Sequence, residues 1–504
     1  MSSIRRPALR APAFAFLFGL AALSPVEAQN DVDTSNRPSV AEALGVVEVW
    51  LDAQRDYEEI PGLSAAIVHD QETLWTGAYG YAHPASETPA TPGTIYSICS
   101  ISKLFTSISL MQLRDRGLVR LSDPVAEHLD WFDVKRTFPD EPPVTVEGIL
   151  THSAGLPRES NHPYWSAPDF AFPTRADIIA DLSEQETLYP AWRYFQYSNL
   201  GLTLAGELVR ELSGLPFEEY VRANVLEPLG LDDTRPRMPE ELRGGRLASG
   251  YSAITREGVR EPVNFFQARG IAPAAGFTST VEDLARFASW QFRLEGDAEE
   301  VLHAHTLREM HRVHYVDPEF EVYWGLGFAV SRSDGTTFVG HGGSCPGYRS
   351  QLLLQLDDRL ATVFMASASG VNTGKYVRGM YELLAPAIEA AAGDDAGEME
   401  TAAGEDEAAP SKDRPDLSRY VGAYSAFPWG GETAVVRWKG SLATLSLPSD
   451  DPAEGLTRLK HIEGHTFRRI RDDDELGERI TFETDADGEV VAMVRFENRS
   501  PKVR

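Results

Sequence analysis

Hydrophobic residues recur at intervals of three and four positions in several stretches of the chain. Such spacing places them along one face of a helix. Residues 39–55 follow this pattern, and residues 101–111 repeat it until Gly117 supplies a stop signal. Two further helices are predicted over residues 199–213 and 280–294, each with a residue at its start that can cap it.

Other stretches are rich in β-branched and aromatic residues, which is typical of strands. Near the start of the chain, residues 63–69 and 73–79 are separated by a short polar turn, which is a hairpin signal. Late strands are predicted over residues 338–340, 351–356 and 361–366. Strands at both ends of a mainly helical middle predict an α+β fold, in which an antiparallel sheet is flanked by helices and carries a mainly helical insert.

Composition changes abruptly after a closing helix predicted over residues 376–391. Residues 391–415 are mostly Ala, Gly, Asp and Glu without aromatic side chains, so they are predicted to form a flexible acidic linker. Residues 416–504 carry short alternating runs separated by Gly, Asp and Pro turns, which predict a small antiparallel β-barrel. We therefore expect one large domain and one smaller domain behind the linker.

The first 28 residues are predicted to be a signal peptide rather than part of the fold. Three arginines precede a short apolar run over residues 11–23, and residues 26–28 offer a cleavage site. A membrane anchor is disfavoured because the run is shorter than a spanning helix. We expect an exported protein, periplasmic or secreted, with no stable membrane insertion after signal removal; the choice between Sec and twin-arginine export stays open.

The net charge of −29 argues against nucleic acid and anionic membrane surfaces as partners. It is interpreted as a surface that favours solubility and salt tolerance. The sequence shows no cluster of metal ligands and no phosphate-binding loop, so no cofactor and no metal are expected. The expected partner is a small-molecule or peptide substrate, and the oligomeric state stays open.

Three short motifs carry the candidate chemistry. Ser100 opens S-I-S-K, and Lys103 lies one helical turn behind it, where it could supply the base that a serine nucleophile needs. The start of a helix also favours negative charge, as an oxyanion requires. The other two motifs are Tyr197-Ser198-Asn199 and His341-Gly342-Gly343.

In this order, the motifs resemble the Ser-x-x-Lys, Tyr-x-Asn and Lys/His-x-Gly motifs of one family of serine hydrolases. It comprises relatives of class C β-lactamases, penicillin-binding DD-peptidases, D-aminopeptidases and certain esterases. The agreeing flanks are S-I-S-K-L-F-T, I-L-T-H-S-A-G-L-P, F-Q-Y-S-N-L-G and G-H-G-G-S-C-P-G-Y. The resemblance covers about residues 38–390 and implies a β-lactamase/transpeptidase-like fold. The segment S-R-Y-V-G-A-Y resembles the start of the lipocalin-like C-terminal domain of some members.

The resemblance also implies a role for each catalytic motif residue. Ser100 would be the nucleophile that forms an acyl-enzyme. Lys103 and Tyr197 would be the base system that takes the serine proton and returns it to the leaving group. Asn199 would hold Lys103 and the substrate amide through hydrogen bonds.

An oxyanion needs two hydrogen-bond donors, which the resemblance supplies as the backbone N–H groups of Ser100 and Ser344. Gly342 and Gly343 fit a strand that lines a cleft, where the backbone comes close to the substrate. His152, in T-H-S-A-G-L-P, is predicted to be structural.

His341 stands where β-lactamases and DD-peptidases of this family usually place a lysine that helps to bind a substrate carboxylate. Histidine is largely neutral at pH 7, so carboxylate anchoring should be weaker. In having a histidine at this position, the chain resembles D-aminopeptidases and some esterases. The resemblance favours small esters or amides as substrates, including peptides and D-amino-acid derivatives. One alternative is a β-lactamase or DD-carboxypeptidase. The other is a non-catalytic binding or sensor protein, which the intact motif residues argue against.

The chain has two cysteines, Cys99 directly before Ser100 and Cys345 two residues after Gly343. If the motifs converge as the family implies, these two residues face each other. Their placement is similar to the bridge of some carbapenem-hydrolysing class A β-lactamases. A disulfide between Cys99 and Cys345 is therefore predicted, which an exported chain permits; the alternative is two reduced, buried thiols.

Overall fold

The large sheet of the protein is assembled from the two ends of its main domain. The computed structural model describes residues 34–138, 140–293, 300–392, 415–428 and 430–504. The predicted signal peptide and residues 393–414 of the predicted linker lie outside these residues.

The helices and strands are numbered in chain order. Helices α1 to α11 are Pro38–Tyr57, Ser102–Asp115, Val146–Leu150, Arg175–Asp181, Asn199–Ser213, Phe217–Val221, Ala272–Ala275, Val281–Gln291, Ala304–His311, Thr373–Ala392 and Pro452–Gly455. Strands β1 to β19 are Gly62–His69, Glu72–His83, Thr88–Pro89, Tyr96–Ser97, Thr278–Ser279, Tyr315–Val316, Tyr323–Trp324, Ala329–Ser333, Thr336–Cys345, Tyr348–Gln355, Leu360–Ala366, Gly422–Ser425, Glu432–Trp438, Ser441–Leu447, Thr457–Glu463, Thr466–Ile470, Leu476–Thr484, Val490–Arg495 and Asn498–Pro501. Within the described ranges, no helix is both long and apolar enough to cross a membrane.

Nine strands form the large sheet in the order β3-β2-β1-β11-β10-β9-β8-β7-β6. The early strand β1 pairs antiparallel with the late strand β11, with Ala65 opposite Phe364. The segments between these strands supply the helices that carry Lys103 and Asn199, whereas the third motif lies on β9 within the sheet. This arrangement confirms the α+β fold predicted from the pattern of strands and helices.

The two faces of this sheet bury different layers of helix, because side chains alternate along a strand. In β1, Ala65 and Ile67 belong to the hydrophobic cluster formed with α1 and α10. Ala66 and Val68 belong to the cluster formed with α2, α5 and α8. The helices that carry Lys103 and Asn199 therefore lie on the side of the sheet opposite α1 and α10.

Local capping explains where the motif-bearing helices begin and end. Helix α5 has the predicted bounds: the Ser198 hydroxyl accepts the N–H of Gly201 at its start, and Gly214 ends it with φ +71°. The start of α2 differs from the expectation. Ser100 lies in a 3₁₀ turn, Cys99–Ile101, that leads into α2 from a residue with φ +50°. The chain thus enters the helix through a tighter turn than the periodic pattern indicates.

The predicted disulfide joins this turn to the end of β9. Cys99 and Cys345 are bonded, with their Cα atoms 5.7 Å apart, within the range for a disulfide. Both side chains are buried. The bridge therefore links the residue before Ser100 to the residue after Ser344.

The C-terminal segment forms an eight-stranded sheet in the order β12 to β19, which confirms the predicted antiparallel barrel. It is nearly closed, because Ala423 and the last residues of the chain exchange backbone hydrogen bonds. The N–H of Ala423 donates to Arg504 (3.0 Å), and the N–H of Val503 donates to Ala423 (2.8 Å). Strands β12, β15 and β19 were not predicted, since their residues carry few apolar side chains in alternation.

Strands β13 and β14 are buried on both faces, which ties the barrel to the main domain. Val435 and Leu442 point into the barrel core. Val436 and Leu445 belong to the cluster of α1 and α10, on the face of the large sheet opposite the motifs. The barrel therefore shares a hydrophobic core with these two helices.

Polar contacts border the same interface. The indole N–H of Trp50 in α1 donates to the carbonyl of Ser449 (2.9 Å). Arg504 pairs with Asp56 at 2.9 Å. The amine of Lys375 in α10 lies 3.0 Å from the carboxylate of Asp450. Because the apolar contacts are enclosed by these polar ones, the docked position of the barrel is well defined.

Replacing both cysteines, Cys99→Ser with Cys345→Ser, should lower the free energy of unfolding. The bridge closes a sequence separation of 246 residues, which corresponds to at most about 5 kcal/mol in the chain-entropy model. Urea unfolding with and without reductant measures the loss. Reductant should shift the midpoint of the natural chain and leave the double variant unchanged. Equal midpoints for the two proteins would contradict the prediction.

The predicted linker suggests that protease can separate the barrel from the main domain, whereas the shared core should hold the two fragments together after cleavage. Protease should cut first between residues 393 and 414, where the composition offers little apolar surface. The two fragments should nevertheless co-elute in size-exclusion chromatography, because Leu445 and its neighbours remain buried against the helices. Leu445→Asp should release the barrel fragment, while Ser446→Asp, at an exposed neighbouring position, should not. Immediate dissociation of the nicked natural chain would show that the interface is weak.

Candidate active site

Ser100 lies in the turn Cys99–Ile101, which is fixed by two backbone contacts to a distant segment. The N–H of Ile98 donates to the carbonyl of Phe277 (3.0 Å). In return, the N–H of Phe277 donates to the hydroxyl of Ser102 (2.9 Å). These contacts hold the turn from both sides, so the position of the Ser100 hydroxyl is set by the surrounding fold.

The amine of Lys103 is fully buried beside three oxygen atoms. Its Nζ lies 3.2 Å from Ser100 Oγ, 2.7 Å from Asn199 Oδ1 and 2.8 Å from the carbonyl oxygen of Ala274. Burial lowers the pKa of Lys103 well below its ordinary value, because the charged form loses its hydration. The structure therefore favours a neutral amine at this position.

A neutral amine has two N–H donors and one lone pair. The oxygens of Asn199 and Ala274 can accept the two N–H groups. The lone pair is then left for the third neighbour, the hydroxyl of Ser100. In this arrangement Lys103 can take the proton from Ser100 without any rearrangement.

Tyr197 lies directly before α5, between the amine of Lys103 and the guanidinium of Arg158. The Nζ of Lys103 and the guanidinium of Arg158 are each 4.8 Å from the centre of its ring. Burial raises the pKa of Tyr197 to about 12, although a hydrogen bond with Ser100 and the charge of Arg158 act in the lowering direction. The phenol is thus protonated near neutral pH and can donate its proton.

His152, which was predicted to be structural, contacts this motif directly. Its Nδ1 accepts the N–H of Ser198 (3.1 Å), and its ring lies 4.3 Å from that of Tyr197 and 5.0 Å from that of Trp324. Burial lowers its pKa well below the ordinary value, so the imidazole is neutral. His152 thus supports the backbone that carries Tyr197 and Asn199.

His341 lies on β9 and is 4% exposed. Its Nδ1 is 2.6 Å from the carbonyl oxygen of Gly342, so this nitrogen carries the proton and donates. Burial lowers the pKa of His341 to about 3, and the charge of Lys103 acts in the same direction. The imidazole is therefore neutral across the physiological pH range, as the residue type suggested.

Strand β9 approaches the serine turn closely at Gly343. A Cβ atom there would lie 2.2 Å from the carbonyl oxygen of Ile98 and 2.1 Å from the hydroxyl of Ser350. The glycine is therefore required by the protein's own backbone, in addition to any approach of a substrate. At Gly342, the added atom would meet the side-chain oxygen of Gln351 at 2.6 Å. Ser344 follows at an exposed position.

The structure brings the predicted residues of the first two motifs into one hydrogen-bonded group, with β9 beside them. Two participants were missed: the backbone carbonyl of Ala274 and the carboxylate of Glu159, which accepts the amide N–H of Asn199 (2.7 Å). A backbone carbonyl has no signature in the sequence. Glu159 could have been suspected, because it follows T-H-S-A-G-L-P closely. In the described part of the chain, no group of three His, Cys, Asp or Glu side chains could hold a metal ion.

Two family descriptions match separate parts of the chain. The family described as Beta-lactamase matches residues 50–387. A second family, described only as a domain of unknown function (DUF3471), matches residues 406–501 and thus covers the barrel.

Individual proteins resemble this chain at low sequence identity. The unguisins hydrolase ungD' of Aspergillus campestris is 28% identical over 312 residues, which cover 59% of this chain and 57% of that protein. The octameric penicillin-binding protein homologue of Pyrococcus abyssi is 22% identical, with a TM-score of 0.59 over 91% of this chain and all of that one. A D-stereospecific amidohydrolase of Streptomyces sp. is also 22% identical, with a TM-score of 0.55 over 66% of this chain and 96% of that one.

The chain spans 64% and 57% of the length of two curated relatives that it matches. The family match, by contrast, covers more than half of this chain, including all three motifs. The protein therefore belongs to the beta-lactamase family.

Proposed function

We propose that the protein hydrolyses small esters or amides, including peptides and D-amino-acid derivatives, through an acyl-enzyme on Ser100. The observation that carries this proposal is the buried amine of Lys103, which lies 3.2 Å from Ser100 Oγ and has two other oxygen acceptors for its N–H groups. Such an amine can act as a general base near neutral pH.

In the acylation step, Ser100 Oγ attacks the substrate carbonyl while its proton passes to Lys103. The carbonyl oxygen becomes an oxyanion, which the backbone N–H groups of Ser100 and Ser344 would stabilise. When the tetrahedral intermediate collapses, the bond to the leaving group breaks. Tyr197 donates its proton to that group and regains one from the ammonium of Lys103.

In the deacylation step, water attacks the acyl carbon of the ester on Ser100. Its proton passes to Lys103 through Tyr197, and the acid product leaves as Ser100 Oγ recovers a proton. No cofactor takes part in either step. Because the same groups serve both steps, replacing any one of them should slow the whole cycle. The losses in rate from two such replacements should therefore not add in the double variant.

The neutral imidazole of His341 supports the substrate class. A carboxylate-bearing substrate gains most from a fixed positive charge, and His341 carries none at neutral pH. The name of the Aspergillus campestris relative, a hydrolase, agrees with this reaction class. β-Lactams and carboxylate-terminated peptides are therefore expected to be poorer substrates than neutral esters and amides.

Export is part of the same proposal. The first 28 residues have the composition of a signal peptide. The disulfide between Cys99 and Cys345 would form and persist in an oxidising compartment such as the periplasm or the extracellular medium.

Ser100→Ala should abolish hydrolysis of all substrates, with a loss on the order of 10⁴-fold or more in kcat. Lys103→Ala and Tyr197→Phe should each lose nearly as much. Labelling by a fluorophosphonate, followed by intact-mass spectrometry, measures the reactive serine directly. Ser107→Ala is the matched control, since Ser107 lies on the same helix and its buried hydroxyl has no partner among the described residues. Retention of more than about a tenth of the activity in Ser100→Ala would overturn the proposal.

His341→Lys should raise kcat/KM for carboxylate-terminated substrates relative to neutral esters. A charge-assisted hydrogen bond contributes about 1.5–3 kcal/mol, which corresponds to roughly tenfold to a hundredfold. The ratio of kcat/KM for a penicillin or a carboxylate-terminated peptide to that for a p-nitrophenyl ester measures the change. His341→Gln, which stays neutral, is the control and should keep the natural ratio. An unchanged ratio in His341→Lys would mean that this position does not select the substrate.

A further inference from the structure

Glu159 lies behind the catalytic group and is not part of any of the three motifs. Its Oε1 accepts the side-chain N–H of Asn199 (2.7 Å), on the opposite side of the amide from Lys103. The same oxygen lies 3.3 Å from the Nε of Arg158. A chain of hydrogen bonds thus runs from Ser100 through Lys103 and Asn199 to Glu159.

The two neighbours of the Asn199 amide allow only one of its two orientations. A carboxylate is an acceptor, so it requires the NH₂ end of the amide. The amine of Lys103 needs an acceptor for one of its N–H groups, so it requires the oxygen end. Rotating the amide by half a turn would place an oxygen against Glu159 and a donor against Lys103. Glu159 therefore fixes the acceptor that holds the catalytic amine.

The side chain of Glu159 is itself fixed by a hydrogen bond to a buried residue. Its Oε2 accepts the hydroxyl of Tyr164, which is fully buried and packs 5.2 Å from the ring of Phe172. The backbone adds a second link, because the N–H of Asn199 donates to the carbonyl of Arg158 (2.7 Å). The segment that carries Glu159 is thus joined to the start of α5 by both a backbone and a side-chain hydrogen bond.

We propose that Glu159 is a positioning residue: it orients the Asn199 amide toward Lys103 and places a negative charge on the far side of that amide, close to the catalytic amine. This inference rests on the proposed role of Lys103 as the base. Glu159 does not need to touch the substrate to act in this way.

The sign of the charge effect follows from the groups around Lys103. Burial is the main cause of its low pKa; Glu159 acts to raise that pKa, and Arg158 acts to lower it. Glu159 also raises the pKa of Tyr197. The titratable and charged side chains that face the amine are Tyr197, His152, His341, Glu159 and Arg158.

Glu159→Gln tests both parts of the proposal. Removing the negative charge should lower the pKa of Lys103 and of Tyr197, so both limbs of the pH profile of kcat/KM should move to lower pH, by roughly one unit. The amide of the new glutamine can also pair with Asn199 in the wrong orientation, so kcat/KM should fall on the order of 10- to 100-fold at the optimum.

Two further variants distinguish the effect of the charge of Glu159 from the effect of its side-chain length. Glu159→Asp keeps the charge on a shorter side chain, so it should reduce kcat/KM and leave both limbs near their natural pH. Glu186→Gln is the matched control, since Glu186 is an exposed carboxylate 3.7 Å from Lys135, and it should change neither quantity. Thermal unfolding of each variant reports whether the fold is retained.

A direct titration makes the result independent of activity. In the Ser100→Ala background, NMR of ¹³C-labelled lysine side chains follows Lys103, identified by its loss in Lys103→Ala. Glu159→Gln should make Lys103 titrate at lower pH than in the Ser100→Ala parent. Titration at an unchanged pH would overturn the proposal. Activity that survives Ser100→Ala would instead overturn the proposed function. The NMR titration would still show whether Glu159 affects the pKa of Lys103.

Discussion

The burial of a single amine is the constraint on which the site depends. Lys103 in α2 reaches Asn199 at the start of α5 and the carbonyl of Ala274 in α7. Three helices must therefore meet at one point, on the face of the sheet away from α1 and α10. A buried ammonium would be costly unless it is paired, and the pocket offers neutral oxygens rather than a carboxylate in direct contact. The same dehydration that stabilises the neutral amine gives the neighbouring hydroxyl a base.

The architecture of the main domain could be predicted from sequence because its signals are local. The helix Asn199–Ser213 has the bounds that its apolar spacing predicts, and the structure shows Ser198 capping its start and Gly214 ending it. The central strands β1 and β11 are continuous apolar runs, as buried strands must be. Two of the barrel strands that escaped prediction, β15 and β19, have largely exposed side chains, so their pairing is determined by neighbouring strands rather than by their own pattern.

The motif residues of the site could also be predicted, but their supports could not. The spacing from Ser100 to Lys103 identifies two side chains that approach each other, although Ser100 lies in the turn before α2. The partners that orient them come from segments about 60 and 170 residues away in the chain, including a carbonyl of Ala274 that any residue type would supply. Glu159 is an ordinary charged residue in the sequence, and only its distance to Asn199 shows what it does. Supports of this kind depend on tertiary contacts.

The shared core of the barrel and α1 has a consequence for the order in which the protein can be completed. The hydroxyl of Tyr57 at the end of α1 meets the backbone of Glu432, 375 residues later. At ribosomal speeds of about 5–20 residues per second, roughly 20 to 75 s separate the synthesis of these two partners. During that interval the apolar side of α1 lacks its final cover, which exposes it to aggregation or to chaperones. Strands β13 and β14 thus protect helix α1, and a nascent chain is vulnerable at this face until both strands have been synthesised.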